Sequence, residues 1–316
     1  MARYRIAVNV EWTSKCNAAC VMCPRADIPD LLVMTSDTFR QTLKRLSTDE
    51  VFRAVIAGYG EPTTHPRFEE FVGLLRGHPV NFDMVSNGQL LDANRLDMLD
   101  GAISTLIISF SSIRPEIYER VHVRLDLARV MDNITMARER LRKTRLAISL
   151  TPLPECLETL PETIDWLRGA GVDLLTMSPS LYDRAGALKA TSQDYRDLRS
   201  IIRRNNLRSQ ELDFVPSARE VLAQWWSNRF RCIPRNTDYL ISAKGEYLYC
   251  FNDIAHRHPM GHVSKMTLRE AVKLRERSPV DHNICGNCSI RDRYRPAELM
   301  NALCGYMTMR RAREAA

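Results

Sequence analysis

No apolar run in the 316-residue chain approaches the roughly 18 residues that a membrane-crossing helix needs. The opening MARYRIAVNVEW also lacks the apolar stretch and small-residue cleavage site of a secretory signal. These two absences exclude an integral membrane protein and predict a cytoplasmic one. Internal repeats and low-complexity tracts are missing too, which excludes a repeat array. A nucleic-acid recognition motif is absent although the net charge is +7, and the densest basic run, Arg196 to Arg208, reads as the solvated face of a helix. Nucleic acid is therefore not expected as a partner. What the chain does have is a 45% apolar content, enough for one large domain or one domain with an appendix, and nine cysteines. The cytosol keeps thiols reduced, so these cysteines point to metal binding or catalysis more than to disulfides.

The first two thirds alternate β-rich runs with amphipathic helical stretches, the mark of parallel β/α units. Strands are predicted at Ile6–Val10, Ala54–Ala57, Asn81–Val85, Thr105–Ser109, Leu146–Thr151 and Leu174–Ser178. Ser36 is placed to cap a helix with Phe39, Leu43 and Leu46 on one face. Stripes at Phe68, Phe71, Val72, Leu75 and at Leu160, Ile164, Leu167 mark further helices, the second closing at Gly169 and Gly171. Six units in series imply a curved parallel sheet wrapped by helices. Near residue 190 the pattern changes. A helical segment with Trp225 and Trp226 leads to Cys232, the hairpin-like YLISAKGEYLYC turns at Gly245, and a helix at Leu268 to Arg277 precedes Cys285-Gly-Asn-Cys288. Two domains are expected, 1–190 and 191–316.

Cys16, Cys20 and Cys23 follow the first strand directly, in the run CNAACVMCP. In β/α barrels the working face lies at the C-terminal strand ends, so the three thiolates are expected at the mouth. Three sulfur ligands on a tight loop suit three irons of a cubane, with the fourth iron open to a small molecule. Zinc is the competing metal; it would want a fourth ligand nearby, and the closest histidine in sequence is His65.

This spacing after a first strand resembles the radical S-adenosylmethionine (SAM) superfamily. The resemblance implies a partial (β/α)6 TIM-like barrel and a [4Fe–4S] cluster on Cys16, Cys20 and Cys23 that cleaves SAM reductively. Met22 departs from the aromatic residue often found before the third cysteine, yet it can pack on adenine. Gly58-Tyr59-Gly60-Glu61-Pro62 is similar to the family's glycine-rich element that receives the amino group of SAM. A dinucleotide fingerprint is rejected for that run, because it has no third glycine and meets Pro62 where a helix should open. Ser86-Asn87-Gly88 resembles the family's turn after the third strand, and Ser109 and Ser111 fall at family positions near the ribose or carboxylate. Met22, Tyr59, Gly60, Glu61, Ser86, Asn87, Ser109 and Ser111 are thus the expected SAM-binding set.

Cys232, Cys250, Cys285 and Cys288 would by themselves suit a zinc ribbon or an Fe–S site. Downstream of such a barrel they resemble the small C-terminal cysteine-rich twitch/SPASM-like domain, which implies a second, auxiliary [4Fe–4S] cluster. The resemblance also implies a low-potential electron donor such as flavodoxin or ferredoxin. Relatives include aminocyclitol dehydrogenases, aminoglycoside epimerases and peptide maturases. Only 15 residues precede Cys16, so an added peptide-recognition domain is not expected there. The expected substrate is a small polar natural product of sugar or aminocyclitol type, oxidised at a carbinol carbon. Epimerisation, radical maturation of a ribosomal peptide and a non-catalytic Fe–S or zinc module are the alternatives. Cys156 and Cys304 are candidate hydrogen donors for epimerisation, or else small buried hydrophobes. Glu11, Glu61, Asp83 and Glu155 are candidates for an acidic pocket that would suit a cationic substrate.

Overall fold

Along Thr105–Phe110 buried and half-buried residues alternate, and the same period of two recurs in Phe82–Ser86, so each strand presents one face to a helical layer. The computed structural model describes residues 5–24, 27–28, 30–179, 192–210, 213 and 238–285. Its strands are β1 (Ile6–Val10), β2 (Val51–Ile56), β3 (Phe82–Ser86), β4 (Thr105–Phe110), β5 (Arg145–Leu150), β6 (Leu174–Met177), β7 (Arg208–Ser209), β8 (Asp238–Ile241), β9 (Glu246–Leu248) and β10 (Pro259–His262). They form one sheet in the order β10-β9-β8-β1-β2-β3-β4-β5-β6-β7. Strands β1 to β7 pair in parallel with their sequence neighbours.

Helices α1 (Ser36–Lys44), α2 (Phe68–Leu75), α3 (Ala93–Leu99), α4 (Pro115–Val121), α5 (Leu127–Arg140), α6 (Pro154–Glu158), α7 (Leu160–Gly169) and α8 (Ser192–Arg204) fill the connections between β1 and β7. The α/β barrel architecture read from the sequence is present, with every predicted strand found within a few residues of its expected ends. Val8, Val10, Ile56, Met84, Leu106, Ile108 and Ile148 pack with Phe39, Phe71, Ile134 and Leu167 in one continuous core between sheet and helices. At roughly 25 cal/mol per Å² of apolar area, this burial is the main term that holds the layers together. The cap of α1 is Thr35, not Ser36: the Thr35 hydroxyl accepts from Thr38 N–H, while Ser36 lies inside the helix and its Oγ accepts from Arg67.

The other face of the sheet, away from the helices, carries Asn9, Arg53, Asp83, Ser109, Ser149 and Thr176. These residues are more polar, and they find partners across the strands. Arg53 Nε donates to Asp83 Oδ2 at 3.0 Å, and Gln210 Nε2 donates to Ser149 Oγ at 2.7 Å and Thr176 Oγ1 at 3.2 Å.

The hairpin expected from YLISAKGEYLYC forms β8 and β9, antiparallel, and Gly245 turns at φ +88°, a value that favours glycine. Its first strand joins the barrel sheet: β8 pairs in parallel with β1 through Ala7↔Asp238 to Val10↔Ile241. The hairpin therefore shares its hydrogen-bonding edge with the barrel. The expected boundary at 190/191, the Trp225-Trp226 segment, Cys232, Cys288 and Cys304 lie outside the described residues. Helices α9 (Leu268–Arg277) and α10 (His282–Cys285) follow the hairpin, the first with a capping box of Thr267 and Glu270. Among the described residues no helix is long and apolar enough to cross a membrane.

Candidate active site at the carboxyl ends of the strands

The loop after β1 is pinned at its base before it reaches the first cysteine. Trp12 is buried and packs edge-on against Phe39, Phe68 and Phe71 at 5.3–6.0 Å. Met34 N–H donates to Trp12 O and Ser14 N–H to Leu32 O, so the chain leaves and returns along the same ladder. Between these ends Cys16, Cys20 and Cys23 are half-buried. Two of the sulfurs, those of Cys16 and Cys20, face nitrogen groups. Ala18 N–H points at Cys16 Sγ at 3.4 Å, Asn87 Nδ2 stands 4.0 Å from the same sulfur, and His122 Nδ1 is 3.4 Å from Cys20 Sγ. An Fe–S cluster takes cysteine thiolates as ligands, and N–H groups directed at their sulfurs orient and tune them. The donor set therefore fits a [4Fe–4S] cluster on three cysteines.

The glycine-rich loop after β2 lies against this base. A methyl group on Gly60 would stand 2.3 Å from Thr13 O and 2.4 Å from Lys15 O, and one on Gly58 would stand 2.5 Å from Glu11 Cγ. Only glycine permits that approach. Glu61 N–H then donates to Lys15 O at 2.9 Å. The Glu61 side chain is 3% exposed and is fully engaged: Oε1 accepts from Thr63 N–H, Thr63 Oγ1 and Ser86 Oγ, and Oε2 from Asn87 N–H. Burial pushes this carboxyl above the usual range, and the four donors oppose the shift. Glu61 is a bracket between the β2 loop and the Ser86-Asn87-Gly88 turn.

Ser86 Oγ also accepts from Gly88 N–H, which turns at φ +80°. Asn87 reaches the cysteine loop, since its Nδ2 donates to Asn17 Oδ1 at 2.8 Å. Ser86, Asn87, Gly60 and Glu61 are thereby brought together with Cys16. Tyr59 is not aimed at this place: its N–H goes to Glu11 Oε1, its hydroxyl donates to Phe251 O, and its ring packs on Leu240, Leu248 and Ile254. The Tyr59 side chain ties the loop to the hairpin.

Ser109, half-buried on the inner face of β4, lies in register with Ser149. Ser111 is buried, and its hydroxyl lies near Cys156, where it offsets part of that thiol's shift. Cys156, read from the sequence as a candidate hydrogen donor or else a small buried hydrophobe, is 1% exposed in α6 within an apolar cluster of Ile117 and Val121, with Met22 and Leu153 packed against it. Burial pushes its thiol up to about 12 from the usual 9.0. Cys156 is accordingly expected to resist iodoacetamide in the folded protein and to react at once on unfolding, as mass spectrometry of the alkylated peptide would show. Because its folded value is raised, its contribution to stability is complete below about pH 9 and declines as pH rises toward 12.

Of the four carboxylates considered for an acidic pocket, three are engaged by the protein's own groups. Glu11 accepts from Tyr59 N–H and Ala243 N–H, Glu61 is the bracket described above, and Asp83 is paired with Arg53. Glu155 is half-buried at the start of α6. Two residues that sequence reasoning missed, Asn17 and His122, contact Asn87 and Cys20. The His122 ring is 2% exposed, and burial lowers its pKa.

Of the second cysteine set, Cys250 and Cys285 are half-buried. Tyr249 joins their segments: its hydroxyl accepts from Asp281 N–H, and Cys285 N–H donates to Asp281 O.

Residues 10–167, half of the chain, match the radical SAM superfamily, and the chain belongs to that superfamily. Over 171 residues it is 23% identical to the probable GTP 3',8-cyclase of Methanocaldococcus jannaschii, covering 53% of this chain and 57% of that one. Over 180 residues it is 28% identical to the tungsten-containing aldehyde ferredoxin oxidoreductase cofactor-modifying protein of Pyrococcus furiosus, covering 54% and 50%. The chain thus spans between half and three fifths of these curated relatives. Among solved structures it is similar to Streptococcus suis SuiB bound to precursor peptide SuiA, with TM-score 0.71 and 14% identity over 92% of this chain and 71% of that one. BtrN in complex with AdoMet and 2-DOIA gives TM-score 0.55 at 17% identity, over 91% and 94%. Native anSMEcpe with AdoMet and Cp18Cys peptide gives TM-score 0.61 at 14% identity, over 97% of each chain. At these identities the likeness is one of fold. Membership of the superfamily implies an enzyme that uses a [4Fe–4S] cluster and SAM.

Proposed function

We propose that this enzyme oxidises a carbinol carbon of a small polar substrate of sugar or aminocyclitol type. Cys16, Cys20 and Cys23 would hold the cluster. Met22, the peptide groups of Gly60 and Glu61, Asn87, Ser109 and Ser111 would surround SAM, and Glu61 would act by holding the two turns in place. When bound, cluster and SAM supply one-electron chemistry that removes a hydrogen atom from a substrate carbon. The observation that carries the substrate class is the polar inner face: Ser109, Ser149, Thr176 and Gln210 offer hydroxyl and amide groups suited to a polyhydroxylated ligand.

Oxidation requires that the substrate then lose a proton and one further electron. Cys250 and Cys285, with Cys232 and Cys288, would hold an auxiliary [4Fe–4S] cluster, which would supply the acceptor for this electron, with an external low-potential redox protein as its final destination. Epimerisation would instead need a hydrogen donor beside the substrate, and the burial of Cys156 among Ile117, Val121 and Met22 disfavours that residue. The test is to incubate reduced, reconstituted enzyme with SAM and a panel of aminocyclitols and amino sugars in D2O, and to weigh the products. Oxidation is expected to give a product lighter than substrate by H2, with activity surviving Cys156→Ala. A product of unchanged mass in H2O that gains one deuterium in D2O, or modification of a peptide and of no sugar, would overturn this reading.

A further inference from the structure

His122 is a buried residue that neither the fold nor the SAM site accounts for. It follows α4, and its N–H closes that helix on Tyr118 O at 2.7 Å. The chain on either side is clamped by the cysteine loop itself: Val21 N–H donates to Val121 O at 3.0 Å and Ala19 N–H to Val123 O at 2.9 Å. The loop's own amides therefore fix the His122 backbone relative to Cys20. Its ring packs on Tyr118 at 4.8 Å between centroids, which fixes the rotamer as well. Nδ1 then stands 3.4 Å from Cys20 Sγ, while Nε2 is buried with no hydrogen-bond partner among the described residues.

A thiolate bound to iron has no proton to give, so a hydrogen bond exists here only if Nδ1 carries the proton. The opposite tautomer would bury an Nε2–H with no acceptor and set the Nδ1 lone pair against the sulfur. The surroundings thus select the Nδ1–H form. An N–H donated to a cluster sulfur stabilises the more negative, reduced state and so raises the reduction potential.

We infer that His122 is a positioning and tuning residue for the first cluster: it donates Nδ1–H to Cys20 Sγ, fixes that ligand, and raises the potential at which the cluster accepts its electron. This inference rests on the reading that Cys16, Cys20 and Cys23 hold the cluster.

The test is an EPR-monitored redox titration of anaerobically reconstituted wild type, His122→Phe and His122→Asn, following the signal that changes when SAM is added. Phenylalanine fills the space without a donor; the Asn Nδ2 can take the place of Nδ1. The expected result is unchanged iron content in both variants. At fixed poise the reduced-to-oxidised ratio should fall by about tenfold in the Phe variant, equivalent to about 59 mV for one electron, and recover largely in the Asn variant. A second measurement needs no variant: in wild type carrying 15N-histidine, pulsed EPR of the reduced cluster without SAM should show a 15N hyperfine coupling. Full iron with an unmoved potential in His122→Phe, or no such coupling in wild type, would overturn the inference. Failure of wild type to bind iron at Cys16, Cys20 and Cys23 would instead overturn the cluster reading itself.

Discussion

Replacing Cys16, Cys20 and Cys23 together by alanine is expected to abolish SAM cleavage while leaving the barrel folded. The loop that carries them is held by contacts that do not involve sulfur: Met34 N–H to Trp12 O, Ser14 N–H to Leu32 O, and Glu61 N–H to Lys15 O. Trp12 keeps its aromatic neighbours as well. Stability should therefore change little in the metal-free state, and circular dichroism and thermal unfolding of the two apo proteins should nearly coincide. Iron should fall from about eight to about four per chain, given the auxiliary cluster proposed on the second cysteine set. No 5'-deoxyadenosine should form. Retention of SAM cleavage by the triple variant would place the reactive metal elsewhere in the chain.

Gly60→Ala should be the most damaging single methyl group in the site. The contacts that oppose it are backbone atoms, Thr13 O at 2.3 Å, Lys15 O at 2.4 Å and Ser14 C at 2.6 Å, which have no rotamer by which to withdraw. Gly60 is not among the residues at positive φ, so the penalty comes from space and not from backbone strain. Relief requires the β2 loop to move off the cysteine loop, which breaks Glu61 N–H to Lys15 O and disturbs the Glu61 bracket to Ser86 and Asn87. The cost should exceed the ~1–3 kcal/mol typical of overpacking, and assembly of the cluster should fail with it. Gly73→Ala is the natural control, because a methyl group there meets nothing within 4 Å and α2 gains a better helix former. Thermal unfolding and iron content of the two variants check this. Equal melting temperatures and equal iron would show that the two loops do not depend on their close approach.

The barrel was legible because its signals are local. Apolar periodicity located β1 to β6 and helices α1, α2 and α7, and the three-cysteine run stood directly after a strand. Where the reading slipped, the cause was a contact between distant segments. Strand β2 begins at Val51, earlier than Ala54, because Arg53 lies on the polar inner face opposite Asp83 and so hides the strand's start. Glu11, Glu61 and Asp83 read as solvated or substrate-facing acids. Their partners are Tyr59 and Ala243, Asn87 and Ser86, and Arg53, and no spacing along the chain announces those pairs. Tyr59 sits in a run that resembles a SAM-binding element, yet its ring belongs to the hairpin of β8 and β9, which attaches to β1 only through the fold. His122 gave no signal at all, since a lone histidine at a helix end carries no pattern until the cysteine loop is folded against it.

The central claim is that this chain performs reductive SAM cleavage on a cluster held by Cys16, Cys20 and Cys23. Its most direct test is to reconstitute the full chain with iron and sulfide under anaerobic conditions, reduce it with dithionite, add SAM, and follow 5'-deoxyadenosine by mass spectrometry. Formation of 5'-deoxyadenosine by the wild type, and none by the triple alanine variant, is the expected result. A fully iron-loaded, reduced wild type that leaves SAM intact with and without the polar substrate panel would contradict it.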